Sequence, residues 1–121
     1  MTKSILVVED QEDNRQILRD LLASADYEMI EAENGQEALD AVGKRRPDLI
    51  LMDIQLPIMD GYEATRRIKA NPEWKAIPII VVTSYALSGD AEKARAAGCD
   101  DYVTKPYSPR QLLAKIREYL K

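Results

Sequence analysis

Five short apolar runs, at residues 4–8, 27–31, 49–53, 79–83 and 101–104, alternate with segments of helical periodicity, and this rhythm leaves few folds open. Ile5-Leu6-Val7-Val8, Leu49-Ile50-Leu51-Met52 and Ile79-Ile80-Val81-Val82 are unbroken apolar blocks, whereas a strand with one wet face would alternate apolar and polar residues. Such blocks need a sheet covered on both sides. Tyr27-Glu28-Met29-Ile30-Glu31 is more polar and suits an edge. Between the runs, Ile17, Leu18, Leu21 and Leu22 form one helical stripe, and Leu112, Leu113, Ile116 and Leu120 form another. Helix starts are marked by Asn34 with Glu37, by Asp60 with Glu63, and by Ser108 with Gln111 behind Pro109; Gly98 is placed to stop a helix. Five β-then-α units predict an α/β fold, a doubly wound five-stranded parallel sheet with right-handed crossovers.

The 121 residues are enough for one core that buries roughly two-thirds of the unfolded surface, so a single domain over residues 1–121 is expected. With 21 acidic and 17 basic residues the net charge is −4, which supplies no basic stripe for a nucleic-acid backbone. Direct nucleic-acid binding is not expected. One cysteine, Cys99, cannot make an internal disulfide, and beside Gly98 it reads as a small buried residue. No apolar stretch approaches the ~20 residues of a membrane span, and Met1-Thr2-Lys3-Ser4 leads into the first strand without a signal-peptide pattern. The expectation is a cytoplasmic protein.

Parallel strands bring their carboxyl ends to one edge, where open α/β sheets bind ligands. Asp10, Asp53, Thr83 and Lys105 each follow an apolar run and should gather there. Asp53 leaves its strand for a loop stiffened by Pro57 and turned at Gly61. A carboxylate held there can attack phosphorus if the charge between anion and anionic donor is neutralised. Glu9 and Asp10 are candidate partners of Asp53 for Mg²⁺, which takes oxygen ligands and is usually held by one or two carboxylates plus phosphate oxygens. A carbonyl of the following loop would add a further oxygen. Three acids in one crevice should push one proton affinity upward when no metal is bound. Taken alone, Glu9-Asp10 reads equally as the start of a solvated loop that caps a helix near Asp13; Asp53 at a matching strand end favours the site. A threonine hydroxyl can donate to a phosphoryl oxygen, and a lysine ammonium offers it a flexible point charge. For the Lys105-Pro106 bond, residue statistics alone favour trans.

These pieces, Leu6-Val7-Val8-Glu9-Asp10, Leu51-Met52-Asp53 through Leu56-Pro57 to Met59-Asp60-Gly61, Val82-Thr83 and Lys105-Pro106, resemble the receiver domain of two-component response regulators from Lys3 to Leu120. With no output domain expected beside a single 121-residue domain, the chain is similar to stand-alone receivers of the DivK or chemotaxis type. The resemblance implies a flavodoxin-like fold of strand order 2-1-3-4-5. It implies that Asp53 accepts a phosphoryl group from a phosphohistidine on a sensor histidine kinase or histidine phosphotransfer protein. It assigns Mg²⁺ to Glu9, Asp10, Asp53 and the main-chain carbonyl of Gln55, with Thr83 bonding the phosphoryl group and Lys105 pairing with it. It also implies a cis Lys105-Pro106 bond and a switch pair of Thr83 and Tyr102, although Tyr102 alone reads equally as a half-buried strand tyrosine. Glu9 stands where aspartate is frequent, and its longer arm is expected to reach the metal through water. Gln55 and Tyr85 fall where receivers set the rate at which water removes phosphate, with Tyr85 expected to shield it.

Such a domain is not a turnover enzyme and promotes only its own phosphorylation and dephosphorylation. Two charge-assisted hydrogen bonds at about 1.5–3 kcal/mol each, less the ordering of their loops, fall short of the about 5.5 kcal/mol needed for near-complete population reversal. A downstream effector would then complete the shift, on a surface made of the helix from Ser88 to Ala97, the Tyr102 strand and the last helix. Ala91, Ala94, Ala96 and Ala97 are equally suited to close packing. The resemblance also implies donor docking around Asn14, Ile17 and Leu18 with the Pro106-Tyr107 loop, and a monomer or weak dimer is expected. A haloacid-dehalogenase-like phosphatase would carry a second aspartate where Gln55 stands and a cap this length leaves little room for. A flavodoxin-like cofactor binder would need a Gly-rich phosphate loop after the first strand, and none is present.

Overall fold

The computed structural model describes residues 2–83 and 90–120. Five strands, β1 (Ser4–Val8), β2 (Glu28–Ala32), β3 (Leu49–Asp53), β4 (Ile79–Thr83) and β5 (Asp101–Thr104), alternate with α1 (Glu12–Ser24), α2 (Gly35–Lys44), α3 (Gly61–Ala70), α4 (Asp90–Ala97) and α5 (Pro109–Tyr119). All pairings are parallel, and the strand order is β2-β1-β3-β4-β5. The sheet is therefore the one expected, with β1 and β3 adjacent where the winding reverses.

Period-2 alternation splits each central strand between two cores. Leu6, Val8, Ile50, Met52, Ile79 and Val81 pack with Ala38 and Val42 of α2, Ala64 and Ile68 of α3, and Ala94 of α4. Ile5, Val7, Leu49, Leu51 and Ile80 face the other way, onto Leu18 and Leu22 of α1 and Leu112 and Ile116 of α5. These residues are no more than 5% exposed, which is why the strands read as unbroken apolar blocks.

β2 begins one residue later than its sequence pattern indicates. The Tyr27 amide still closes α1 on the Leu22 carbonyl, after Asp26 turns the chain at φ 63°, so pairing starts at Glu28 opposite Ser4. At this edge the Arg45 guanidinium forks onto both carboxylate oxygens of Glu28, at 2.6 and 2.5 Å. The α1 stripe is also rotated: Ile17 is 54% exposed, and the buried positions are Arg15, Leu18 and Leu22. Among the alanines assigned to packing or output, Ala94 and Ala97 are buried and Ala96 is exposed. Ser88 lies outside the described residues, and Cys99 is half-buried.

The three predicted caps form: Asn34, Asp60 and Ser108 accept from the amides of Glu37, Glu63 and Gln111. Gly98 ends α4 with φ 101°. Asn34 is itself buried, and its 2.8 Å bond satisfies an amide at the start of α2. Asn34→Ala is expected to lower stability by about 1–2 kcal/mol in urea denaturation without changing the slope of the transition.

Candidate functional site

β1 and β3 run side by side with Val8 opposite Met52, so the residues that follow them emerge together. Glu9, Asp10 and Asp53 offer carboxylate oxygens that all lie within 4.8 Å of one another. Glu9 is 3% exposed and Asp53 8%, which rules out a solvated loop as the setting of Glu9. Lys105, just past β5, donates from Nζ to Glu9 Oε1 at 2.9 Å and approaches Asp53 Oδ2 at 3.4 Å. Glu9 Oε2 accepts from the Gln11 amide at 3.1 Å, and Asp53 Oδ1 from the Ile54 amide at 2.7 Å. The Glu9 arm thus closes inward onto Lys105.

Thr83 ends β4 and is 2% exposed. Its carbonyl accepts from the Lys105 amide at 2.6 Å, which ties the ends of β4 and β5 together. The Lys105-Pro106 bond is cis, against the residue statistics and in line with the resemblance. Tyr102 is half-buried against the core cluster that contains Val81. Gln55 is exposed in the loop after β3, and Tyr85 lies outside the described residues.

Electrostatics single out Asp53. Burial, reinforced by the neighbouring charge of Glu9 and opposed by Lys105, pushes its carboxyl up to about 6. Burial would also raise Glu9, but the hydrogen bond and charge of Lys105, with the Gln11 amide, outweigh it and hold Glu9 below its usual range. Lys105 moves upward because Glu9 and Asp53 outweigh its own burial. One acid is pushed up, as repulsion among the three predicts, yet desolvation leads repulsion as the cause.

The loop from Ile54 to Asp60 is fixed at both ends. The Gly61 amide donates to the Ile54 carbonyl at 2.9 Å, and the Gly35 amide at the start of α2 donates to the Met59 carbonyl at 3.0 Å. Ile58 at its tip is 83% exposed with φ 68°, a conformation that strains a β-branched residue. Beside the acids, a groove of about 450 Å³ is walled by Asn14, Ile17 and Leu18 of α1 and by Pro106, Tyr107 and Pro109, with Asp53 and Lys105 also lining it.

Sequence reasoning missed Arg15. It is 7% exposed and donates from Nη1 to the Glu9 carbonyl at 2.7 Å. An apolar stripe counts only apolar residues; the spacing of Arg15, Leu18 and Leu22 on one helix face is the signal that would have found it.

The response regulator receiver domain family matches residues 5–117. The chain belongs to the response regulator receiver family. This receiver is 47% identical over 120 residues to the polar-differentiation response regulator DivK of Brucella anthropi, covering 99% of this chain and 98% of that one. The receiver domain of a Pseudomonas aeruginosa sensor histidine kinase superposes with a TM-score of 0.92 at 36% identity, covering 99% and 98% of the two chains. That structure holds a magnesium ion coordinated in its active site cleft. The Vibrio cholerae chemotaxis response regulator CheY4 superposes with a TM-score of 0.91 at 28% identity, covering 98% and 99%. Receivers are signalling domains that take phosphoryl groups from histidine kinases and act on downstream partners. Among the described residues, no helix is long and apolar enough to cross a membrane.

Proposed function

We propose that this DivK-like receiver works in the cytoplasm, as a monomer or weak dimer, and that it stores a phosphoryl group on Asp53 and presents the result to an effector protein. The observation that carries the reading is the Glu9, Asp10 and Asp53 cluster, with ligand atoms within 4.8 Å and Lys105 Nζ 3.4 Å from Asp53.

The donor set fits a hard divalent cation, since it consists of carboxylate oxygens held close together. Glu9, Asp10, Asp53 and the main-chain carbonyl of Gln55 would hold Mg²⁺. When bound, the ion supplies charge neutralisation between the anionic nucleophile and the anionic donor. Asp53, still ionised at pH 7 with its carboxyl at about 6, attacks the phosphorus of a phosphohistidine. The Oδ–P bond forms as the P–N bond breaks, and the imidazole keeps that electron pair, leaving neutral when its other nitrogen carries a proton. Lys105 meets the phosphoryl oxygens as a point charge and Thr83 donates its hydroxyl to them. Inward movement of Tyr102 as Thr83 follows the phosphate then alters the β5 face that the effector reads.

Incubation with Mg²⁺ and acetyl phosphate should add one phosphoryl group by intact mass, and chelation of the metal should abolish it. Unmodified protein under these conditions would overturn the reading. The donor would dock in the groove beside Ile17, whose 54% exposure offers an apolar anchor. Ile17→Asp is expected to slow transfer from a phosphohistidine protein about tenfold or more and to leave acetyl phosphate labelling unchanged. Equal slowing with both donors would place Ile17 in the chemistry rather than in docking.

A further inference from the structure

We infer that Arg15 is a positioning residue for the metal cluster, acting through the peptide bond between Glu9 and Asp10. The Glu9 carbonyl belongs to the peptide that carries Asp10, and it accepts 2.7 Å from Arg15 Nη1 in a buried setting. On its other side, the Glu9 amide donates to the Ala32 carbonyl at 3.0 Å. The backbone of Glu9 is thereby held at both ends, and the plane from which Asp10 departs is fixed. A hydrogen bond to a charged donor inside a protein is among the stronger ones, and buried geometry favours it further.

The guanidinium is itself held in place. Nε meets Glu31 Oε1 of β2 at 3.2 Å, and Nη2 pairs with Glu12 of α1 and lies 3.5 Å from Glu33 Oε1 in the β2–α2 connection. Arg19 meets Glu31 and Glu12 from the outer side, at 2.6 and 3.3 Å. A guanidinium presents five donors in one rigid plane, whereas an ammonium is a point charge with three rotatable donors and fixes no plane. The inner nitrogen is thus aimed at one carbonyl by acids drawn from separate elements. A purely stabilising ion pair would not need that carbonyl, since Glu12, Glu31 and Glu33 already balance the charge.

This inference rests on the proposed Mg²⁺ site, and the test separates the two. Mg²⁺ binding is measured by calorimetry on the full chain, beside urea stability and the rate of acetyl phosphate labelling as a function of Mg²⁺. Wild type is expected to bind; absence of binding overturns the metal reading and this inference with it. Arg15→Met is expected to raise the Mg²⁺ Kd about tenfold. Removal of a nearby positive charge would by itself tighten cation binding, so the expected sign is opposite to the electrostatic one. At saturating Mg²⁺ the labelling rate should return to within about twofold of wild type, a split that a general loss of stability would not produce. Arg15→Lys keeps the charge without the fork and is expected to raise the Kd about threefold; it serves as the measured variant if Arg15→Met does not fold. Glu31→Gln, which loosens the network while leaving the Arg15 bond to the Glu9 carbonyl, should lower stability with the Kd unchanged. An unchanged or lower Kd in the Arg15 variants, with wild type binding normally, overturns the inference, as does a Glu31→Gln that weakens Mg²⁺ as much as they do.

Discussion

Asp53→Asn is expected to abolish phosphoryl incorporation while making the metal-free protein more stable at neutral pH. The sign follows from the direction in which folding moves the carboxyl. Folding raises Asp53 from its ordinary value of 3.8 to about 6, so the folded state holds this proton more tightly than the unfolded chain. Below about pH 4 both states are protonated and Asp53 imposes no cost. Between 4 and 6 the unfolded chain releases its proton first, and stability contributed by this group falls as pH rises; above 6 the cost is complete. A tenfold change in proton affinity corresponds to about 1.4 kcal/mol, which sets the gain from neutral asparagine at about 1–3 kcal/mol, or several degrees in Tm. Thermal melts at pH 4.5 and 7.5 in chelator check this: the variant should exceed wild type clearly at 7.5 and much less at 4.5. Added Mg²⁺ is expected to bind and stabilise the ionised form, and so to narrow the gap. A variant no more stable than wild type at pH 7.5 would mean that Lys105 compensates the desolvation of Asp53 in full.

Gly61→Ala should damage fold and site together. A Cβ at this position would lie 2.0 Å from the Asp53 carbonyl oxygen and 2.9 Å from the Asp53 carbonyl carbon, both backbone atoms. No rotamer relieves such an overlap, so either α3 retreats or β3 bends at its last residue. The expected loss is about 2–3 kcal/mol in urea denaturation. Displacement of a nucleophile by ~1 Å can cost about 100-fold in rate, and labelling by acetyl phosphate should fall by about that factor. An alanine variant that loses stability yet labels at the wild-type rate would show that the clash is absorbed by α3 alone.

Legibility in the sequence follows how local the physical cause is. β1, β3 and β4 match their sequence runs residue for residue, because burial on both faces leaves only apolar side chains between polar ends. β2, an edge, is displaced by one residue because its start depends on how α1 closes at Leu22 and on the turn at Asp26. The convergence of Glu9, Asp10, Asp53 and Lys105 is readable because parallel strands deliver their carboxyl ends to one edge whatever the loops do. Arg15 is not readable from an apolar stripe, since its acceptors beyond α1 lie just past β1, on β2 and in the connection after β2. Asp100 is a similar case: its Oδ2 accepts from the Ile79 amide at 2.8 Å and from Lys69 Nζ at 2.7 Å, joining residues 21 and 31 positions apart. The spacing carries no periodic signal. The raised carboxyl of Asp53 is foreseeable in direction from like charge, whereas its leading cause, burial, requires the folded site.

The two rims of the sheet have a bearing on how concentrated solutions of this protein should behave. β2 shows Glu28 and Glu31 along one rim, with Arg45 folded back onto Glu28, and β5 shows Asp101 on the other, held by Lys115 at 3.1 Å. Unpaired strand backbone is a template for stacking chain upon chain, and ionised side chains along it oppose that growth. Rim-to-rim contact would set carboxylates against carboxylates and strip water from arginine and lysine heads already engaged at home. Resistance to fibre formation is thus written into the same border residues that finish the sheet.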